Sequence, residues 1–572
     1  MRPWTNKSLA FGVLGLLLVI LGSCLYLFCS LFFHLILQSE MPLSPTSKSY
    51  DIWRDTSSLP PIYMKIYFFN WTNPEELRVP NKKPNIVQLG PYAFREVRKK
   101  VEVTFNPENN TVSYLNKKFW YFDQEQSNGS LSDNITQLDP VALSAAHKVR
   151  YWGEMMRASL SFLLSKNVLH VTKTVDELTF SGYENSLLKL GRMATMDEDV
   201  PLFDRFGWFY MRNGSTIFDG VYNMDTGAED IRNLGVIRNW NYKDTTKHHK
   251  SPCNAVEGSA GEFWPPYRTK EDISLFAGDL CRSLIYEYEK TVSYHGIEGY
   301  KYTLGDKSLG NNTKRRYPHE QAKYFLHTTT TEDFFDAEHS AELTDPVPED
   351  LDVVNTGHCY CNGKCTPSGL MNITACRYGA PAFVSLPHFR RGDPSLRDQV
   401  TGLNPTEEHD FFITLEPRTG IPLEVSANFQ VNLLLQPTKD ITLYSDVPTI
   451  YFPIFWFSLV VQTPEYMTDD LKKLLSLTTV FSYSGVITLI IGAIIIFAVA
   501  LLYVLRNQSA AITNTKNTKS VPIPAPEKSE LVYLDKGSTN EDAHVRTDRK
   551  LYPSSIEYFN LNRNEKKSDG YE

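Results

Sequence analysis

Two apolar runs bracket this chain, Leu9 to Leu37 and Leu474 to Leu505, and the stretch between them has the polar and apolar mixture of a water-soluble domain. At 1.5 Å rise per residue the runs reach roughly 44 and 48 Å as helices, more than the ~30 Å of a bilayer's hydrocarbon core. Each predicts a transmembrane helix. A signal-peptide core ends within about 15 residues at small side chains, whereas the first run continues through Leu31-Phe32-Phe33, which predicts a retained anchor. Arg2 and Lys7 precede it without an acid, and Arg506, Lys516 and Lys519 follow the second run before Glu527. The positive-inside rule therefore puts both termini in the cytosol. The expected layout is a cytosolic start at 1–8, spans at 9–37 and 474–505, an extracellular or lumenal domain at 38–473, and a cytosolic tail at 506–572. The tail is polar, carries Pro522, Pro524 and Pro526, and predicts disorder. Gly15 and Gly22 in one run, and Gly485 and Gly492 in the other, are spaced to share a helix face. Such small residues let membrane helices approach, which predicts helix pairing or self-association into a homo-oligomer.

The middle of the chain reads mainly as strands. Ile62 to Phe69 is a buried apolar run, and Val101, Val103 and Phe105 alternate with polar residues at the period of a half-buried strand. The longest alternation puts Leu423, Val425, Ala427, Phe429, Val431 and Leu433 on one face. Glu424, Ser426, Asn428, Gln430 and Asn432 fall on the other, to meet solvent or to line a wide barrel. Phe411 to Leu415 precedes it across Pro417 to Pro422, an antiparallel hairpin. Helix is expected after the Asp139-Pro140 cap pair, from Val141 to Lys166 with a break at Gly153, and again from near Thr269 through Phe276. No linker divides the block into domains.

A net charge of −8 with no basic stripe sets nucleic acid aside. Seven N-glycosylation sequons fall between the spans, at Asn70, Asn109, Asn128, Asn134, Asn213, Asn311 and Asn372. Six cysteines share that region: Cys253, Cys281, Cys359, Cys361, Cys365 and Cys376. The spacing after His358 does not give the paired ligands of structural zinc, and in an oxidising compartment disulfides are expected, with fifteen pairings open. Cys24 and Cys29 lie too deep in the first run for palmitoylation.

No catalytic constellation is found. His319-Glu320 lacks a second histidine, and there is no nucleophile elbow, Walker loop or dinucleotide glycine pattern, so neither an enzyme nor a cofactor or metal site is expected. His248-His249 reads as a solvated pair. Arg391-Gly392-Asp393 matches an adhesion tripeptide but sits before Pro394 in a turn. In the tail, Tyr558 and Leu561 fit the Tyr-x-x-apolar form that clathrin adaptors read in an extended segment.

Several collinear segments resemble the class B scavenger receptor family. They are Gly90-Pro91-Tyr92 with Phe94-Arg95-Glu96, Gly182-Tyr183-Glu184, Pro265-Pro266-Tyr267 and Asp279-Leu280-Cys281-Arg282-Ser283. Gly379-Ala380-Pro381 with Ser385 to Phe389, and Gly402 to Pro405 leading to Leu415 to Gly420, complete the match. The resemblance implies an α+β membrane protein whose large ectodomain is an irregular antiparallel β-barrel with an apolar tunnel and an apical helical bundle. It implies the disulfides Cys253–Cys359, Cys281–Cys376 and Cys361–Cys365, and ligand binding around Val141 to Val171, where Lys166 falls near a family lysine implicated in lipid binding. Gly305 to Gly357 is longer than the family pattern, the tail has no cysteine to palmitoylate, and the lysosomal dileucine signal is missing. The expected function is binding of lipids such as sterols and fatty acids, or of lipoprotein and other lipid-bearing particles, for uptake or transfer to the membrane through the tunnel. A phagocytic or adhesion receptor, or a sensory co-receptor for lipid-like ligands, is the alternative. The plasma membrane is the expected residence, with the endosome or lysosome membrane second.

Overall fold

The first apolar run folds as two helices. The computed structural model describes residues 6–189, 203–316, 353–361 and 365–517, and in it α1 (Asn6–Leu27) ends at a turn at Phe28 before α2 (Cys29–Glu40). Among the described residues, α1 and the C-terminal helix Glu465–Asn517 are the two helices long and apolar enough to cross a membrane. Phe33 and Leu37 on α2 are instead buried with Ile297, Leu423, Leu471 and Leu475. The end of the expected 9–37 span thus spends its apolar side chains on protein, and the helix of the second span already begins at Glu465.

The glycine faces meet each other within the chain. Gly15 lies against Gly492 and Gly22 against Gly485, in antiparallel register. A Cβ on Gly22 would stand 2.6 Å from the Gly485 carbonyl oxygen and 2.5 Å from Leu489 N, and one on Gly492 would stand 2.7 Å from the Gly15 carbonyl oxygen. Backbone cannot yield as a side chain can, so these positions require glycine. The pairing read from the spacing is intramolecular, and those faces are occupied rather than free for self-association.

Between the membrane helices, thirteen strands among the described residues make one antiparallel sheet. In chain order they are β1 (Ile62–Trp71), β2 (Ile86–Asn106), β3 (Thr111–Asp123), β4 (Val221–Asp225), β5 (Ile237–Trp240), β6 (Ile273–Ala277), β7 (Arg282–Tyr294), β8 (Ile297–Leu304), β9 (Met371–Asn372), β10 (Ala382–Ser385), β11 (Phe412–Leu415), β12 (Pro422–Leu435) and β13 (Ile450–Gln462). The path runs β6-β7-β8-β11-β12-β13-β1-β2-β3-β4-β5, with β10 also on β12 and β9 on β10. Isolated bridges from Ser259 to Leu275 beside one edge and to Val236 beside the other span the gap, so the barrel is nearly closed. Gly258 permits this: at φ +98° a Cβ would lie 2.4 Å from the Ser274 carbonyl oxygen. Residues 5–498 form one compact unit, in keeping with the lack of a linker.

Two sequence expectations change. The segment from Thr269 to Phe276 is not helical; Ile273 to Ala277 is the edge strand β6, paired Ile273 to Tyr286 through Ala277 to Arg282. The sheet partner overrides the local helix tolerance of Lys270-Glu271-Asp272. On β12 the alternation is present and hairpins with β11 as read, but its faces are used the other way round. Asn428, Gln430 and Asn432 are fully buried, while Val425, Ala427, Phe429 and Val431 are only half-buried.

The polar face is covered by β10 and the segment after it, which supply most of its hydrogen-bond partners; among the described residues Asn428 Oδ1 is left without one. Asn432 Nδ2 donates to Ser385 Oγ at 3.0 Å, Gln430 Nε2 to Asn432 Oδ1 at 2.7 Å, and His388 N to Gln430 Oε1 at 2.6 Å. His388 Nδ1 accepts from Asn404 N at 3.1 Å, which leaves the proton on Nε2 to donate to Gln88 Oε1 at 2.8 Å. A second proton would oppose the Asn404 N–H. Burial, with the nearby His409 ring adding to it, pushes His388 down to about 3. The unfolded chain, with histidine near 6.5, therefore binds more protons between those values, so stability is lost as pH falls from 6.5 toward 3, at up to about 1.4 kcal/mol per pH unit. Wild type is expected to lose about 2 kcal/mol from this group between pH 6.5 and 5, and His388→Asn to lose correspondingly less, in guanidinium unfolding at both pH values. Equal losses would remove His388 as the cause.

Beyond the short helix α3 (Lys48–Arg54), the cap expected at Asp139 is formed: its carboxylate accepts from Val141 N and Ala142 N at the start of α4 (Pro140–Val149). Gly153 then precedes α5 (Glu154–Leu163).

Candidate functional site: an internal cavity with one charged wall

The half-buried apolar face of β12 is half-buried because it looks into a cavity of about 750 Å³. Ala427, Phe429, Val431 and Leu433 line it from β12, and Phe455, Phe457 and Leu459 from β13. The α4 residues Pro140, Val141, Ser144 and Lys148 line it as well. Half of the helical region expected to meet ligand therefore borders the interior, and α5 does not contribute. On α5, Met155 and Phe162 are 81% and 80% exposed. Lys166, in the turn that follows, is exposed and is not among the cavity's lining residues.

Another part of the wall carries charge that the hydrophobic pattern does not predict. Glu96, Arg98 and Lys118 come from β2 and β3, while Arg212, Asp219, Asp279 and Arg377 come from connecting segments. They are mutually paired. Lys118 Nζ is 2.7 Å from Asp219, Arg212 Nη1 2.9 Å and Arg377 Nη2 3.2 Å from Asp279, Arg98 pairs with Glu96, and Trp120 Nε1 donates to Glu96 at 2.8 Å. Burial alone would raise the Asp279 carboxyl, but Arg212, Lys118 and Arg377 outweigh it and hold it well below the carboxylate range. Glu96 is likewise held down, with Arg98 and Lys118 overcoming its burial. The Lys100 ammonium, paired with Glu262, is nevertheless pushed down by burial. Asp279 is half accessible, and that surface faces the cavity. A signal existed for part of this: Glu96, Arg98 and Lys100 share the strand phase of buried Phe94, where an outward-facing polar stripe would not be.

The cysteines bear on the same wall. Cys281 and Cys376 are joined, which ties the segment carrying Asp279 to that carrying Arg377; Cys253 is joined to Cys359, and Cys361 to Cys365. His248 lies near the Cys281 and Cys376 sulfurs, but sulfurs consumed in a disulfide are not zinc ligands. Of the sequon asparagines, Asn109, Asn128, Asn134 and Asn213 are exposed and Asn70, Asn311 and Asn372 are half-buried. Asn213 pairs its amide with both Trp120 backbone groups, and Asn311 donates to Thr366 O. In the adhesion tripeptide, Arg391 is spent on Asp410 at 2.8 Å and Asp393 caps a helix at Ser395 N. Tyr558 and Leu561, His319-Glu320 and most of the long Gly305 to Gly357 segment lie outside the described residues.

Comparison with known proteins agrees with the architecture. The profile of the CD36 family matches residues 13–503. Protein peste of Drosophila melanogaster is 36% identical over 82% of this chain and 78% of its own. Scavenger receptor class B member 1 of Rattus norvegicus is 28% identical over 88% and 90%, and lysosome membrane protein 2 of Homo sapiens 28% identical over 80% and 86%. With a near-closed antiparallel barrel between two apolar terminal helices and a family match across most of its length, the chain belongs to the CD36 family, whose relatives here include class B scavenger receptors.

Proposed function

We propose that this membrane protein binds lipids or lipid-bearing particles around α4 and α5 and passes hydrophobic molecules through the barrel cavity to the bilayer, without chemical turnover. The observation that carries the reading is the cavity of about 750 Å³ with one apolar wall running from α4 along β12 and β13. Apolar surface moved from water into such a wall gains about 25 cal/mol per Å², but a lipid tail gains little more in the bilayer. The cavity therefore supplies a low barrier, and net transfer follows the concentration gradient. In this reading the tunnel opens at the α4 end, the bundle of α4 and α5 is the particle-binding apex, and both termini are cytosolic at the plasma membrane. Residence in endosomes or lysosomes is the alternative that one relative's name suggests.

Cells expressing the chain should take up a fluorescent sterol or fatty acid from donor particles faster than cells without it. Replacing Met155 and Phe162 with serine should reduce particle capture severalfold; capture that survives both changes would move the docking surface elsewhere. A recognition receptor for phagocytosis or adhesion is the second reading, favoured by the same two exposed side chains, and a sensory co-receptor is a third. For the tail, Tyr558→Ala is expected to raise the surface population about twofold or more by weakening adaptor capture. Unchanged surface biotinylation would dispose of the adaptor reading.

A further inference from the structure

We propose that a second cavity, between the barrel and the start of the C-terminal helix, is a site for the phosphate of a phospholipid head group from the adjoining leaflet. It has a volume of about 700 Å³, and Arg268, Arg418 and Lys472 line it together with Tyr267, Tyr300 and the helix residues Leu475, Ser476 and Thr479. Residues of both apolar runs adjoin it. Arg418 donates to Thr478 Oγ1 at 3.0 Å and its guanidinium lies over the Phe33 ring at 5.6 Å. Tyr267 Oη is 2.9 Å from His34 Nδ1 on α2. These partners stand where the two apolar runs emerge.

The two arginines are held side by side by the backbone, since Tyr267 N donates to Arg418 O at 3.2 Å and Arg268 N to Pro417 O at 2.6 Å. Arg418 is partly neutralised by Glu416, whereas Arg268 has no carboxylate within ion-pair distance among the described residues. Among the described residues Arg268 Nε is buried without a hydrogen-bond partner, while Arg268 Nη2 reaches Pro266 O at 3.5 Å. Its guanidinium is pushed below its ordinary value by burial, and only Tyr302 opposes the shift. Glu416 Oε2 accepts from Thr419 N at 2.7 Å and Thr419 Oγ1 at 2.6 Å, while its Oε1 is turned to Arg418, accepting from Arg418 N at 3.2 Å and lying 3.7 Å from Arg418 Nε. Lys472 pairs with Asp469 at 2.9 Å, and Glu298 is the remaining acid on the lining. Two guanidiniums side by side on one cavity wall, beside tyrosines and next to the start of an apolar terminal helix, are matched by a phosphodiester, which accepts in the bidentate geometry arginine offers. The inference requires only that the chain be membrane-anchored, and it stands or falls apart from transfer through the barrel.

The test uses the full chain reconstituted with phosphatidylcholine containing phosphatidic acid, and separately with diacylglycerol of the same tails, followed by native mass spectrometry after detergent exchange. Wild type should retain phospholipid but not diacylglycerol, and R268Q/R418Q should retain about tenfold less. R268K/R418K should recover part of the retention by restoring charge, and Ala427→Trp, which obstructs only the barrel cavity, should leave it unchanged. An unaltered melting temperature in the glutamine variant shows that lost retention is not lost folding. Equal retention in wild type and R268Q/R418Q, or of diacylglycerol and phospholipid, overturns the proposal. Displacement by millimolar inorganic phosphate would assign the site to a soluble anion and overturn it too.

Discussion

Replacing Ala427 with tryptophan is expected to cut transfer of a fluorescent sterol or fatty acid at least about tenfold while particle capture at the cell surface persists. Ala427 sits at the middle of β12, opposite Leu459 of β13, and its side chain borders the cavity. The indole would project between Phe429 and Leu459 into the space a lipid must cross. Because the side chain borders a cavity and not packed protein atoms, the substitution avoids most of the cost of about 1–3 kcal/mol that added bulk carries in a filled core. The position can therefore report blockage rather than misfolding. The opposite strand face cannot serve the purpose, since tryptophan at fully buried Gln430 would break the hydrogen bond to Asn432 and the one from His388 N. The measurement is the initial rate of lipid appearance in cells matched for surface protein. A rate equal to wild type, with particles still bound, would end the tunnel reading and leave the recognition-receptor reading standing.

The sequence disclosed elements better than it disclosed which side of them faced what. The β12 alternation marked a strand without ambiguity, yet a period of two cannot say whether an apolar face meets a packed core or a void, or whether a polar face meets water or another segment. The covering segment, Ser385 to Asp410, is distant in sequence, and its hydrogen bonds to Asn428, Gln430 and Asn432 exist only once the chain has closed. Gly15, Gly22, Gly485 and Gly492 were legible because membrane helices reward small residues at fixed spacing, though whether they met within one chain or between two was not. The charged wall was hardest to see. Arg212 and Asp219 share one connecting segment while Asp279 and Arg377 come from two others, and their pairing answers to burial that no local pattern encodes. At Ile273 to Ala277 the local residues tolerate helix, and the decision for strand came from β7.

Removing the Cys281–Cys376 bridge, by serine at both positions, is expected to lower stability by about 4 kcal/mol. The bridge spans 95 residues, a loop whose closure entropy alone amounts to about 4.7 kcal/mol. Cys253–Cys359 overlaps it, however, and with that bond intact the shortest closed path through both bridges is about 45 residues, which brings the expected cost down to about 4 kcal/mol. The short Cys361–Cys365 loop, with a separation of 4, should contribute only about 2 kcal/mol by the same reasoning. Guanidinium unfolding of the two serine pairs measures both. The larger loss has a local component besides chain entropy, because Asp279 and Arg377 flank the bridge and pair at 3.2 Å on the cavity wall. Freed from the bridge, the two segments can part and leave Arg212 and Arg377 without their shared carboxylate. Asp279→Asn alone is expected to cost about 2 kcal/mol, less than a fully buried pair because the carboxylate is half accessible. Combined with the serine pair it should cost less than the sum, since both changes release the same contact. Additive losses would show that the bridge acts through the unfolded chain only, and a loss below about 1 kcal/mol on removing the bridge would show that Cys253–Cys359 already supplies the constraint.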